Sequence, residues 1–331
     1  MSEKRYPVGI VGGGAWGTAL ASVMAQIHPE VLIWARENEV VSAINETHEN
    51  SLFLNGLKLA SNIRATSDLA AMEACGALLI VTPAQHVRAT LTALPKTDAP
   101  LLLCAKGIEA GTEMLMSDIA AEVRPENPLA VLSGPTFAHE VAAGKPTAIT
   151  LATANQAMGA ELMRLIAAPH FRPYWSEDVT GAEIGGAVKN VLAIGCGVVD
   201  GAGLGLNARA SLIARGFAEI QRYGLARGAR PETLAGLSGL GDLVLTCSSD
   251  NSRNFSLGRG LGQGLSAEAL LSDRNTVAEG AFTAPVLLQS AQKLGIEMPI
   301  VAAVCALLEG KANVGDVTAA LLSRPLKAES W

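Results

Sequence analysis

The chain has 331 residues, 49% of them hydrophobic, with a net charge of −6 and a pI near 5.5. That length and apolar content suffice for two cored domains. An acidic balance without basic runs argues against nucleic acid and anionic membrane surfaces as partners, while leaving room for a local cationic pocket. No stretch of about 18 uninterrupted apolar residues marks a membrane span. Met1 to Pro7 carries no secretion or transit signal, and the five scattered cysteines suit reduced core thiols in a cytoplasm. The five histidines show no metal-ligand spacing, so no metal is expected.

The first predicted element is an apolar strand from Val8 that runs into Gly12-x-Gly14-x-x-Gly17 and a helix over Ala19 to Gln26. In a dinucleotide-binding loop the first glycine makes the tight turn and the second lets the backbone approach a pyrophosphate. The third lets helix and strand pack closely, and the helix N–H groups face the anion. The pattern alone is weak evidence. Here a strand precedes it, a helix follows it, and a second strand, Val31 to Ala35, comes within about 30 residues. At the end of that second strand an acidic residue selects the 2′-hydroxyl of NAD and an arginine the 2′-phosphate of NADP. The position holds Arg36, which favours NADP, and Glu37 follows it, which leaves NAD open.

Further apolar runs follow at Ala77 to Pro83, Leu101 to Gly107, Leu129 to Pro135 and Ala148 to Leu151, alternating with helical patterns. Continuous apolar runs are what strands buried on both faces require. The expected architecture is a doubly wound parallel sheet of Rossmann type over residues 1–178. Ligands in such sheets lie beyond the carboxyl ends of the strands, where Thr82-Pro83, Lys106-Gly107 and Ser133-Gly134-Pro135-Thr136 fall.

The chain changes character near Ser176 to Gly181, and an all-α domain is expected over residues 179–331. Gly181 to Val199 reads as a helix buried on every side. Further helices are expected at 207–224, 231–236, 266–271, 283–294 and 299–309. Lys189 is the exceptional residue of the central helix, because a lysine there is heavily penalised unless it is paired or faces a cleft. Burial also moves a lysine pKa toward the range useful for proton transfer. Gly185, one turn below, offers no side chain and would leave space for a flat ring or small substrate. Asn190 could orient the lysine or a substrate hydroxyl. Ser238-Gly-Leu-Gly-Asp242 is a glycine turn delivering a carboxylate, and Asn251-Ser252-Arg253-Asn254 sets a planar guanidinium suited to phosphate among small polar residues. Val277-Ala-Glu279-Gly280 is less specific.

Taken together, Gly-x-Gly-x-Trp-Gly-Thr-Ala-Leu at 12–20, Lys106-Gly-Ile-Glu, Leu-Ser-Gly-Pro-Thr-Phe-Ala at 132–138, Ala187-Val-Lys-Asn, Gly239-Leu-Gly-Asp-Leu, Ser252-Arg-Asn and Val277-Ala-Glu-Gly resemble, in order and spacing, the NAD(P)-dependent glycerol-3-phosphate dehydrogenases of bacterial type. The resemblance runs from about residue 8 to about residue 310. It implies a helical domain like the C-terminal domain of 6-phosphogluconate dehydrogenase. The activity implied is reversible hydride transfer between NADP(H) or NAD(H) and dihydroxyacetone phosphate or glycerol 3-phosphate, supplying phospholipid synthesis. A homodimer is the assembly the family suggests.

The resemblance assigns Lys189 as the general acid/base. It makes Lys106, Gly134, Thr136, Lys189, Asp242, Ser252, Arg253 and Asn254 substrate contacts. Gly12, Gly14, Ala15, Trp16, Gly17, Arg36, Lys106, Ala138, Arg253, Val277 and Glu279 become cofactor contacts. Ala15 stands where the family commonly has serine, which removes one hydroxyl from the loop, and Thr136 retains the hydroxyl of a position where serine is frequent. Two other classes share part of this pattern: a two-domain NADP-dependent 3-hydroxyacid or ketopantoate-type reductase, which needs no phosphate clamp, and a non-catalytic dinucleotide sensor, which leaves Lys189 unexplained.

Overall fold

The computed structural model describes residues 5–272, 278–326 and 328. The chain forms two compact units: Met1–Ala105 with Met116–Val179, and Lys106–Leu115 with Thr180–Trp331. A single cut along the sequence does not separate them, because Lys106–Leu115 belong to the helical unit although sheet-unit residues lie on both sides of them in the sequence.

In the first unit, β1 (Tyr6–Val11), α1 (Ala15–Met24), β2 (Val31–Trp34) and α2 (Asn38–Thr47) lead to a small hairpin, β3 (Glu49–Asn50) with β4 (Leu54–Lys58). Then come β5 (Ile63–Thr66), β6 (Cys75–Ile80), α3 (Val87–Ala93), β7 (Leu101–Leu103), α4 (Met116–Val123), β8 (Leu129–Ser133), α5 (Ala138–Ala142), β9 (Thr147–Ala152), α6 (Gln156–Ile166) and β10 (Phe171–Ser176). The main sheet has the order β10-β9-β8-β7-β6-β1-β2-β5. β1 lies inside the sheet, third from the β5 edge, and its Ile10 pairs in register with Ile33 on one side and Leu79 on the other. Val8, Ile10, Ile33, Ile63 and Leu79 are wholly buried, as doubly covered strands demand.

The expectation of parallel pairing throughout fails at one step. β9 runs antiparallel to β8, and β10 follows β9 in parallel. The helix between β8 and β9 is only Ala138–Ala142. At about 1.5 Å per residue it is too short to carry the chain back along a five-residue strand that rises about 3.3 Å per residue. The far edge, β5, is closed by a side chain: the Asn45 amide donates to Ala65 O (2.9 Å) and accepts from Ala65 N (2.9 Å). Edge strands need such blocking because their free backbone groups otherwise recruit another chain.

The second unit is helical: α7 (Val179–Gly201), α8 (Leu206–Ala226), α9 (Pro231–Leu234), α10 (Asp242–Cys247), α11 (Arg253–Gly262), α12 (Ala267–Leu271), α13 (Glu279–Lys293), α14 (Pro299–Leu308) and α15 (Val314–Leu322). By length and composition α7 is apolar enough to cross a membrane, but it is the buried core helix of this unit, with Gly181 through Val199 covered on every side. Glycine permits that burial. A Cβ on Gly197 would lie 2.0 Å from Phe255 O, and one on Gly258 would lie 1.9 Å from Ile194 O, so α7 and α11 touch backbone to backbone. A buried carboxylate joins two further helices. Glu219 on α8 accepts hydrogen bonds from Ile300 N (2.7 Å) and Val301 N (3.2 Å), satisfying donors that the first turn of α14 leaves open. Burial pushes its pKa up to about 7 against those two hydrogen bonds.

Gly258→Ala should therefore destabilise the protein by roughly 1–3 kcal/mol, the usual cost of overpacking a tight contact. A thermal unfolding scan should show the midpoint several degrees lower. An unchanged midpoint would mean that α7 and α11 do not cross this closely.

Candidate active site

The glycine loop joins β1 to α1. Gly12 has φ of +134°, a conformation that L side chains rarely adopt, and a Cβ there would press on the Val81 carbonyl carbon at 3.0 Å. A Cβ on Gly17 would lie 1.8 Å from Gly12 O, so only glycine lets α1 start this close to the strand. Gly14 is different, since nothing lies within 4 Å of its Cβ position. It is the N-cap of α1, which has no side-chain cap and no acidic residue in its first turn. The N–H groups of Gly14, Ala15 and Trp16 thus begin a ten-residue helix whose positive end is open to an anion. Arg36 follows β2, is exposed, and places Nε and Nη2 on Glu37 Oε1 at 3.1 and 2.8 Å. Gly134 follows β8, Thr136 donates to Gly134 O (3.2 Å), and Ala138 is the first residue of α5.

The helical unit holds a cluster of charge. Asp242, the first residue of α10, is 0% exposed. Its Oδ2 takes a bond from Lys106 Nζ at 2.7 Å and its Oδ1 one from Lys189 Nζ at 2.6 Å. Buried charges persist only when paired and hydrogen-bonded, and here one carboxylate serves two ammonium groups, leaving the cluster net positive. Lys189 also donates to Thr246 Oγ1 (2.8 Å), which in turn donates to Asp242 O (2.7 Å). Thr246 was not found from the sequence. Its signal is the four-residue spacing from Asp242 on one helix face, which shows only once α10 is known to be a helix.

Desolvation lowers the Lys189 pKa from 10.5 to about 8, with the Asp242 charge opposing the shift and the Lys106 charge adding to it. The ammonium can therefore give up a proton near neutral pH. Burial and the adjacent Cys196 push the Cys247 thiol up, so that it stays neutral beside the cluster.

Gly185 does not leave space for a ligand as the sequence suggested. A Cβ there would meet Ser238 O at 2.6 Å, so this face of α7 is filled by the turn Leu237–Gly241. That turn is wider than an α-helix, with Gly241 N bonded to Gly236 O, and it sets Asp242 against Lys189.

A second polar group joins α7, α11 and α13. Asn254 Nδ2 donates to Asn190 Oδ1 (3.0 Å), and Asn254 Oδ1 accepts from Gly280 N (2.9 Å). Ser252 is the N-cap of α11, its Oγ accepting from Phe255 N at 3.2 Å. Arg253 is exposed at the first position of that helix, and Glu279 begins α13. Val277 lies outside the described residues. Within the helical unit, then, Lys106, Lys189 and Asp242 converge, with Asn190 and Asn254 bound to each other and Arg253 exposed one residue from Asn254.

A Rossmann-type sheet unit with an anion-ready helix end, and a helical unit with a buried lysine poised to exchange a proton, define a nucleotide-dependent oxidoreductase as the class. Comparison with known proteins gives the family. The N-terminal model of NAD-dependent glycerol-3-phosphate dehydrogenase matches residues 7–159 and the C-terminal model residues 178–319, and the chain belongs to this family. It is 61% identical over 321 residues to glycerol-3-phosphate dehydrogenase (NAD(P)+) 1 of Sphingopyxis alaskensis, covering 97% of both chains. It is 61% identical over 326 residues to glycerol-3-phosphate dehydrogenase (NAD(P)+) of Novosphingobium aromaticivorans, covering 98% of both. The crystal structure of glycerol-3-phosphate dehydrogenase from Coxiella burnetii superposes with a TM-score of 0.91 at 36% identity, over 96% of this chain and 99% of that one.

The lowered Lys189 pKa fixes the sign of a pH dependence. Below about 8 the ammonium is present to act as an acid, and above it the free amine is present to act as a base. The kcat/KM for carbonyl reduction should fall as pH rises through about 8, and that for alcohol oxidation should rise over the same interval. Parallel profiles in both directions would rule out Lys189 as the titrating group.

Proposed function

We propose that the chain reduces dihydroxyacetone phosphate to sn-glycerol 3-phosphate reversibly, as an NAD(P)-dependent glycerol-3-phosphate dehydrogenase. The observation that carries this reading is the buried Asp242 holding Lys106 and Lys189, in a chain of this family. Ketone reduction builds negative charge on the C2 oxygen. An ammonium at that oxygen stabilises the charge and donates the proton, help worth roughly two to four powers of ten in rate. Lys189 fills that role because its proton is already loosened by burial, and Asp242 with Thr246 holds two of its three N–H bonds, fixing where the third points. Lys106 supplies the second positive charge.

Arg253 at the start of α11, with Ser252 and Asn254, is read as the phosphate clamp. Anchoring the remote phosphate turns binding energy into orientation of C2. Gly134 and Thr136 complete the substrate contacts carried over from the family. In the sheet unit Gly12, Gly14, Ala15, Trp16 and Gly17 would hold the pyrophosphate of the dinucleotide, Arg36 the 2′ position, and Ala138 a further contact; Val277 and Glu279, in the helical unit, are the other cofactor contacts that the family assigns. When bound, the dinucleotide supplies the hydride. Supply of glycerol 3-phosphate to phospholipid synthesis, a cytoplasmic location and a homodimeric assembly belong to the same reading.

The first test is absorbance of the reduced nicotinamide on mixing the protein with dihydroxyacetone phosphate, with NADPH and NADH in parallel. Oxidation is expected with both, faster with NADPH if Arg36 meets a 2′-phosphate. Absence of oxidation with either would overturn the assignment. Lys189→Ala should lose most of the turnover while still binding NADPH. Arg253→Ala should raise the KM for dihydroxyacetone phosphate at least about ten-fold, as loss of a charged hydrogen bond to substrate predicts. An unchanged KM would point instead to a keto acid that needs no phosphate clamp.

A further inference from the structure

Asn50 lies on β3, outside every motif of the active site, yet it is buried, at 1% exposure, and all its polar capacity is committed locally. Its Nδ2 donates to Gly13 O at 2.8 Å and to Thr18 Oγ1 at 2.7 Å, while its Oδ1 accepts from Phe53 N at 3.3 Å. One side chain from the hairpin therefore grips the middle of the glycine loop and the first turn of α1 at once. A buried amide is retained only where its partners repay desolvation, and here two of the three partners lie on the glycine loop and the first turn of the helix that follows it.

The consequence follows from peptide geometry. In a planar trans peptide the C=O and the N–H point in opposite directions. Asn50 draws the Gly13 carbonyl toward the hairpin, so the Gly14 N–H of the same peptide is turned away from it. Gly14 is also the residue whose Cβ position is open for 4 Å around. On its other side Gly13 is wedged, since a Cβ there would lie 2.4 Å from Ala35 Cβ, so the peptide has little freedom once Asn50 holds it. We propose that Asn50 is a positioning residue for the dinucleotide: by fixing the Gly13–Gly14 peptide it aims the Gly14 N–H at the pyrophosphate. This rests on the reading of the loop as the dinucleotide site. It adds a determinant of cofactor affinity that sits on the β3–β4 hairpin, 36 residues beyond Gly14 in the sequence.

The test is a binding titration followed by the fluorescence of the reduced nicotinamide, so that it needs no turnover. Asn50→Asp keeps the shape and sets a carboxylate oxygen against Gly13 O, which turns the peptide. Its NADPH affinity should fall about ten-fold, the scale of one charge-assisted hydrogen bond. Its affinity for adenosine 2′-monophosphate, which lacks the pyrophosphate and is read by its displacement of bound NADPH, should stay within about two-fold of wild type, because that probe makes no such bond. If Asn50→Asp does not fold, Asn50→Ala carries the same comparison without a new charge. NADPH affinity unchanged in the Asn50 variant, or an equal fall for both probes, would overturn the proposal. Failure of the wild-type protein to bind NADPH would overturn the dinucleotide reading itself.

Discussion

One buried carboxylate organises the helical unit. Asp242 has no access to solvent, so its charge is tolerable only because Lys106 and Lys189 bring two ammonium groups to its two oxygens. The converse holds as well, since Lys189 in the core of α7 is tolerable only because of Asp242. Neither desolvation nor pairing wins outright. Desolvation exceeds the attraction enough to bring the lysine down to about 8, and the attraction keeps it from being neutral at pH 7. An acid that is charged yet nearly ready to lose its proton is the product of that balance.

That carboxylate has to be delivered accurately, and the backbone contacts around it explain how. α7 is pressed so closely by the Leu237–Gly241 turn and by α11 that only glycine fits at residues 185, 197 and 258. Such contacts leave little room for rigid-body slip, because interiors are close-packed and resist small displacements. The positions of Lys189 on α7, Asp242 just after the turn, and Arg253 at the head of α11 are therefore set by the same contacts. The sheet unit uses the same device on a smaller scale, with Gly17 against Gly12.

Much of this was legible along the chain. The glycine loop and the continuous apolar strands Val8, Val31, Ala77, Leu101 and Leu129 pointed to a doubly wound sheet, and the length of the Gly181–Val199 run pointed to a core helix. Those signals are local, and each is strong because both faces of the element are buried. The elements that were missed carry weak local signals. β10 alternates and contains Pro173, which an edge strand tolerates because no ladder bond is demanded of it on its free side. β5 is four residues long with an arginine inside it. α10 and α11 hide among Gly, Ser and Asn: α10 continues directly from the Leu237–Gly241 turn without a side-chain cap, and α11 starts at the Ser252 cap.

The sequence by itself determined the identity of the chemistry: which residues can cradle an anion, which lysine cannot be ordinary, and in what order the motifs occur. Only the tertiary structure decided what those residues do to one another. It reversed β9, because a five-residue helix cannot span the sheet. It closed the space expected at Gly185 by packing a turn into it. It brought Lys106 beside Asp242, 136 positions apart, made Thr246 a partner of Lys189, and set Asn50 on the glycine loop. The physical reason is common to these cases. Local patterns report the burial and backbone freedom of single elements, whereas hydrogen-bond partnership and pKa depend on distances between elements, which long-range packing alone sets.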